Sequence, residues 1–329
     1  MQKEIMLSAA TIKAEASRFG FYRCGLSKAE DVETAEADRY RTWLAQGCQA
    51  DMNYLENHQD KRFSPQALMP GVRTIVSVAL NYYPTRTLPT NSLQLAWYAY
   101  GRDYHDVMKS KLNNLLQALR DTLPTKQADT LQGRCFCDTA PVLERYWAQR
   151  SGLGWIGKNG QLIIPEAGST FFLGELFLTL PADAYDIPQP ARCGNCNRCI
   201  EACPTGALQA GRPIDARRCL SYLTIENRNE IPEWAAPRMG TCFYGCDRCQ
   251  QACPHLRFAR PTGEEAFRPN EALLQMSPAD WFALTEEDYR RVFKGSAVKR
   301  AKYSGVVRNL QAVKPNLPPN SDKKTETQP

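Results

Sequence analysis

Histidine is scarce in this chain: His58, His105 and His255 are the only three in 329 residues. They are too few and too scattered for a metal site built on imidazoles. Long hydrophobic runs are also missing. The opening segment MQKEIMLSAATIKAEASRFG mixes charges with apolar residues and holds no uninterrupted stretch of signal-peptide or membrane-spanning length. A cytoplasmic protein with no membrane attachment is therefore expected. Neither sign of charge dominates, since 41 basic residues stand against 35 acidic ones for a formal net charge of +6. Such a balance permits a polyanionic partner without demanding one. Outside the cysteine-rich region there is no internal repeat, which excludes a solenoid.

With 43% of its residues hydrophobic, the chain is long enough for one sizeable core and one or two smaller modules. Apolar positions at helical spacing (Ile5, Leu7, Ala10, Ile12, Ala16, Phe19), closed by Gly20, predict an opening amphipathic helix. Thr74 to Tyr83 and Phe171 to Leu180 have the β-branched and aromatic content of buried strands. Val107 to Leu123 and Pro141 to Arg150 have helical patterns. The fold class expected is α+β, with residues 1–185 forming a mixed or three-layer domain. The proline-rich stretch from Pro181 to Arg192 predicts a linker into a cysteine module over residues 186–256. Residues 257–313 read as a short helical basic segment of two helices, and residues 314–329 as a disordered tail.

Thirteen cysteines without an export signal favour metal over disulfides. The run Cys193-x2-Cys196-x2-Cys199-x3-Cys203-Pro204 has the spacing of bacterial ferredoxins, in which three close thiolates hold one 4Fe-4S cubane and the fourth ligates the other. A partial copy follows at Cys246-x2-Cys249-x3-Cys253-Pro254. The same crossing rule assigns Cys193, Cys196, Cys199 and Cys253 to cluster one. Cluster two takes Cys203, Cys246 and Cys249 and lacks one ligand, because Phe243 occupies the position a regular repeat would fill. Cys219 and Cys242 are both candidates on spacing alone. Structural zinc is the alternative for paired C-x2-C motifs, but zinc does not require an x2-x2-x3 run ending in proline.

Gly152, Gly154 and Gly157 spell the dinucleotide fingerprint G-x-G-x-x-G, but a helical segment precedes them and a strand-like one follows. A Rossmann site needs the reverse order. The loop is better read as backbone brought close to another ligand. Asp138 stands just before Pro141, which by itself suggests a helix N-cap. A carboxylic acid placed there to donate a proton beside a reducing centre is the functional alternative.

The segments YAYGRDYH (Tyr98 to His105), CDTAPVLERYWAQRSGLGWIGKNG, GSTFFLGE, CGNCNRCIEACPTGAL, CLSYLTIE and YGCDRCQQACP resemble the epoxyqueuosine reductases, which complete queuosine synthesis on tRNA. No generic ferredoxin carries the first three. The resemblance covers most of the chain. It implies a nitroreductase-like cobalamin-binding catalytic domain over residues 1–185, joined to a ferredoxin-like module with two 4Fe-4S clusters. It also implies that Asp138 is the proton donor and that Cys219 completes cluster two, leaving Cys242 outside. Arg62, Tyr100, Gly157, Lys158, Asn159, Ser169 and Ser221 match positions expected around the corrin together with Asp138. The corrin-binding motif D-x-H-x-x-G is absent, since Asp103-x-His105 is followed by Met108 where glycine is required.

The expected substrate is tRNA carrying epoxyqueuosine in its anticodon, and the expected electron source an external low-potential donor, with the protein acting as a monomer. Arg145 and the basic residues from Tyr289 to Arg308 are candidate phosphate contacts. Many members of that family carry a longer helical-repeat extension after residue 256, where only a short basic tail is expected here. A corrinoid reductase acting on a small molecule and a non-catalytic ferredoxin-type electron carrier are the alternatives.

Overall fold

The computed structural model describes residues 5–90 and 92–317. Eight strands are present among them: β1 Arg23–Lys28, β2 Thr74–Asn81, β3 Gln94–Leu95, β4 Gly133–Phe136, β5 Trp155–Ile156, β6 Leu162–Ile163, β7 Phe171–Leu178 and β8 Cys242–Tyr244. The main sheet is antiparallel, with the order β1-β2-β7-β4. Its two central strands, TIVSVALN and FFLGELFL, are the two apolar runs expected from sequence, and they are largely apolar because both faces are covered, with Thr74, Ser77 and Glu175 as buried exceptions.

One face packs on the helices Ala9–Arg18 and Tyr104–Asp121 through Ile12, Ala16, Val76, Val78, Leu112, Leu115 and Leu176. Gly174 lets the longer helix approach, since a Cβ there would lie 2.6 Å from Met108 Cε and 3.0 Å from Leu112 Cδ1. The other face packs on the helix Glu144–Arg150, where Ile75, Phe136 and Phe177 meet Tyr146 and Trp147. The result is a helix-sheet-helix sandwich.

A second core lies around Leu93, Tyr100, Leu220, Leu223, Phe243, Trp281, Tyr289, Val306 and Leu310. It draws on the sandwich segment before residue 101, on the cysteine module and on the C-terminal helices, so these regions are not separate cores. Parallel pairing of β3 with β8 fastens the first two together.

The C-terminal segment is richer in structure than its basic composition suggested. It holds the helices Glu271–Leu274, Pro278–Phe282, Glu286–Val292 and Lys302–Val313 besides short 3-10 turns. The tail expected to be disordered from residue 314 instead begins with the 3-10 turn Lys314–Asn316, because the Asn316 amide donates to the carbonyls of Ala236 and Gly240. Residues 318–329 lie outside the described residues.

The linker is likewise tied down. Asp183 accepts the backbone N–H of Ala9 at the start of the first helix, and Asp186 accepts that of Leu26 and pairs with Lys13. Asp103 caps the helix Tyr104–Asp121 and pairs with His105 and Lys299. Those hydrogen bonds outweigh its burial and hold its carboxyl well below the usual range. Among the described residues no helix is long and apolar enough to cross a membrane.

Candidate active site

The cysteines fall into two sets. Cys193, Cys196, Cys199 and Cys253 line one small cavity with Lys158, Asn159, Ile163, Arg192, Pro254 and His255. Cys203, Cys219, Cys246 and Cys249 form the other, with Cys249 feeling the charges of the remaining three. Cys242 lies near Cys246, but its thiol donates to the Gly245 carbonyl at 3.1 Å. Neighbouring Phe243 is fully buried against Trp281, which removes the regular repeat position from any ligand role.

Among the described residues no three His, Cys, Asp or Glu side chains converge closely enough for a single ion. Each set is four thiolates drawn from the x2-x2-x3 run, its partial copy and Cys219, a donor chemistry that fits a 4Fe-4S cubane in each.

Each set is wrapped in donors. Burial raises the Cys203 thiol, but backbone N–H groups of Leu208, Thr205 and Ala207 and the Thr205 hydroxyl bring it below its ordinary value. Backbone N–H groups of Tyr222 and Ser221 point at Cys219, whose burial nevertheless raises it. In the first set the Trp155 indole N–H donates to Cys193 Sγ at 3.4 Å. Lys158, in the turn between β5 and β6, spans to the cysteine loop and donates to the carbonyls of Gly194 and Cys196 and to Asn197 Oδ1.

Asp138 follows β4 on an exposed turn in the left-handed region, at φ +54°. It is not a helix cap: the next helix starts at Glu144, with Leu143 at its N-cap. Pro141 lies inside the turn instead of opening the helix, and the turn is held by a hydrogen bond from the Asp138 N–H to the Glu144 carboxyl. The Tyr104 hydroxyl donates to the Asp138 carboxylate, and its ring stacks on Phe172 at 4.2 Å. Beneath the turn, Glu175 of β7 is fully buried and neither of its carboxyl oxygens has a partner. Its burial, then the nearby Glu144 and Asp138 charges, push its pKa well above the usual carboxylate range.

The other expected corrin contacts are dispersed. Asn159 is buried with its Nδ2 lacking a partner, and Arg62 is buried with its guanidinium 5.3 Å from the Tyr40 ring and its Nε unpartnered. Such orphaned donors suit the amide carbonyls that fringe a corrin. Gly157 sits where a Cβ would meet Ile163 Cδ1 at 2.5 Å. Ser169 accepts from the Gln250 amide through both its hydroxyl and its carbonyl. Ser221 lies in the first turn of the helix Leu220–Ile225. Tyr100 is buried in the second core, where its hydroxyl accepts the Leu88 N–H and burial pushes its pKa up to about 12.

Comparison with known proteins bears directly on this arrangement. Residues 62–139 match a family described as "Epoxyqueuosine reductase QueG, DUF1730", and residues 192–255 match a "4Fe-4S double cluster binding domain". An epoxyqueuosine reductase of Cellulophaga algicola is 42% identical over 303 residues, covering 92% of this chain and 97% of that one. The chain belongs to the epoxyqueuosine reductase family.

The Escherichia coli epoxyqueuosine reductase is 36% identical over 94% of this chain and 81% of its own length. A crystal structure of an epoxyqueuosine reductase with a tRNA-Tyr epoxyqueuosine-modified stem loop superposes with a TM-score of 0.84 and 26% identity, covering 93% of this chain and 80% of that one. A Bacillus subtilis epoxyqueuosine reductase has been solved with its catalytic aspartate loop swung out of the active site, and it superposes with a TM-score of 0.84 at 25% identity.

Several residues in this epoxyqueuosine reductase family member were not singled out from sequence. Tyr104 and Glu175 lie within the motifs YAYGRDYH and GSTFFLGE, and Glu144 within CDTAPVLER, so the signal was present in the segments though not in the residue types. Asp247, between Cys246 and Cys249, accepts the Trp97 N–H at 2.7 Å, and burial pushes its pKa up to about 7. A cleft of about 250 Å³ beside Tyr100, Arg102, Arg268 and Lys294 is lined by no cysteine, so size alone does not locate the chemistry.

Most of the basic residues expected to meet phosphate are engaged within the chain. Arg308 donates to the carbonyls of Asn227, Asn229 and Leu223. Arg300 pairs with Glu226, Arg290 with Glu286, and Arg291 with Asp288. Arg145 donates to the Gly160 carbonyl.

Proposed function

We propose that this protein reduces epoxyqueuosine to queuosine at the wobble position of tRNA, with Asp138 as the acid, two 4Fe-4S clusters as the electron path and cobalamin as the reductant at the epoxide. The observation that carries the reading is the presentation of Asp138: an exposed carboxyl on a left-handed turn, gripped by Tyr104 on its side chain and by Glu144 on its backbone. Converting the epoxide to an alkene with loss of its oxygen as water consumes two electrons and two protons. When bound, cobalamin would supply a strongly reducing centre for that carbon–oxygen bond.

The chain's own residues do the remaining work. Cys193, Cys196, Cys199 and Cys253 would hold cluster one, and Cys203, Cys219, Cys246 and Cys249 cluster two. Asn159 and Arg62 offer donors to the corrin's amides, with Gly157, Lys158, Ser169, Tyr100 and Ser221 in the supporting segments. Asp138 delivers a proton to the leaving oxygen, and its neighbours fix the carboxyl's direction.

A base in the anticodon must leave its stack to reach a carboxyl on this turn. Tyr54, half exposed, offers the kind of aromatic face on which an unstacked base rests. The deciding experiment is anaerobic reconstitution with iron, sulfide and cobalamin, followed by nucleoside analysis of an epoxyqueuosine tRNA. Queuosine should appear with cobalamin and not without it. Full cluster absorbance with no cobalamin binding would leave only an electron carrier.

A further inference from the structure

The cysteines of both sets are half-buried. The cavity of the first set opens among exposed residues of the loop from Arg192 to Arg198. That lip is positive. Arg192, Arg198 and Arg257 are exposed, and among the described residues none of them forms an ion pair. Arg192 lines the cavity together with His255, and the Arg257 guanidinium lies 4.6 Å from the Phe258 ring, itself 6.4 Å from the His255 ring. The Arg192 guanidinium lies 6.0 Å from the centre of the Trp155 ring, whose indole N–H reaches Cys193. Lys158 adds a fourth cation under the same loop, and among the described residues its hydrogen-bond partners are carbonyl and amide oxygens.

We infer that this basic lip is the docking surface for a small acidic protein carrying a low-potential one-electron centre, and that electrons enter the chain through Cys193–Cys199. The inference rests on the cluster-ligand reading but not on the tRNA substrate. Unpaired cations around a redox centre steer an anionic partner and orient its donor edge toward that centre. Each encounter transfers one electron: the partner is oxidised by one unit, and the set-one cluster is reduced by one. A phosphate backbone would also be attracted by such a rim, but an RNA seated there would cover the exposed edge of the cluster.

The test is stopped-flow reduction of the reconstituted holoprotein, using a reduced acidic flavodoxin as one donor and reduced methyl viologen, a small cation that needs no docking, as the other. The wild-type rate with flavodoxin should fall steeply with salt. Arg198→Glu with Arg257→Glu should slow flavodoxin at least tenfold without slowing reduction by the viologen. Arg198→Gln with Arg257→Gln should fall between, and it guards against a folding failure of the charge reversal. An unchanged flavodoxin rate in the variants overturns the inference. So does a variant that keeps the flavodoxin rate but loses binding of an anticodon stem loop, which would assign the lip to RNA.

Discussion

The Tyr104 hydroxyl donates to the Asp138 carboxylate across 34 residues of sequence, joining the first turn of one helix to the turn that follows β4. Phe172 of β7 stacks on the Tyr104 ring with planes 3° apart, so the phenol is fixed in direction. The donor of the proposed acid is thus positioned by the sheet itself, not by the turn that carries it.

Replacing Asp138 by Asn should leave both clusters and cobalamin in place while lowering turnover by about 10² to 10⁴, the span of a lost general acid. Tyr104→Phe should cost about tenfold, as one hydrogen bond to a charged group is removed. Iron, sulfide and corrin content measured beside single-turnover rates separate the two effects. Wild-type turnover in Asp138→Asn would remove it as the acid.

Cys219→Ser should halve the iron, because Cys219 faces Cys203, Cys246 and Cys249. Cys242→Ser should retain it, since that thiol is spent on a carbonyl. Iron and sulfide assays with electron paramagnetic resonance of the reduced protein decide. The opposite pattern would move the fourth ligand to Cys242.

Trp155→Phe should lower the potential of the first cluster. An N–H aimed at a ligating sulfur favours the more negative, reduced form. A bond of about 1 kcal/mol corresponds to roughly 40 mV for one electron, given about 59 mV per tenfold. A potentiometric titration followed by electron paramagnetic resonance reads the shift, and a rise in potential would contradict the assignment.

Much of this was legible in the residues. TIVSVALN and FFLGELFL point to the two central strands because strands covered on both faces are predominantly apolar. The cysteine spacing points to two ligand sets because a cubane needs thiolates at that interval, but it leaves the fourth ligand of the second set open between Cys219 and Cys242, and only the family resemblance implies Cys219. The Asp138 turn was misread as a helix start, since Pro141 is a common first helical residue and only the hydrogen bond to Glu144 shows that the chain turns there first. The C-terminal segment reads in sequence as short basic helices, but its aromatics close a core supplied largely by distant parts of the chain, a pairing no local pattern reveals. Glu175 was hidden for a different reason: a charged residue in a strand suggests an outward face, yet both faces of β7 are covered.

That buried carboxyl gives stability a pH dependence whose sign can be worked out. In the folded chain Glu175 keeps its proton well above the ordinary range, because burial and then the charges of Glu144 and Asp138 oppose ionisation. In the unfolded chain it ionises near pH 4.3. Between those values the native state binds more protons than the unfolded one, so this contribution is full at low pH and shrinks as pH rises, by at most about 1.4 kcal/mol per pH unit. Glu144 acts in the same direction, its pKa raised by burial and then by Asp138 against the opposing Asp138 N–H and Arg145. Glu175→Gln keeps the shape and removes the charge, so it should gain apparent melting temperature over wild type at pH 8 and gain little at pH 5. Anaerobic thermal melts of the holoprotein across that interval provide the measurement. A variant that loses stability equally at both pH values would show that Glu175 is ionised in the native protein.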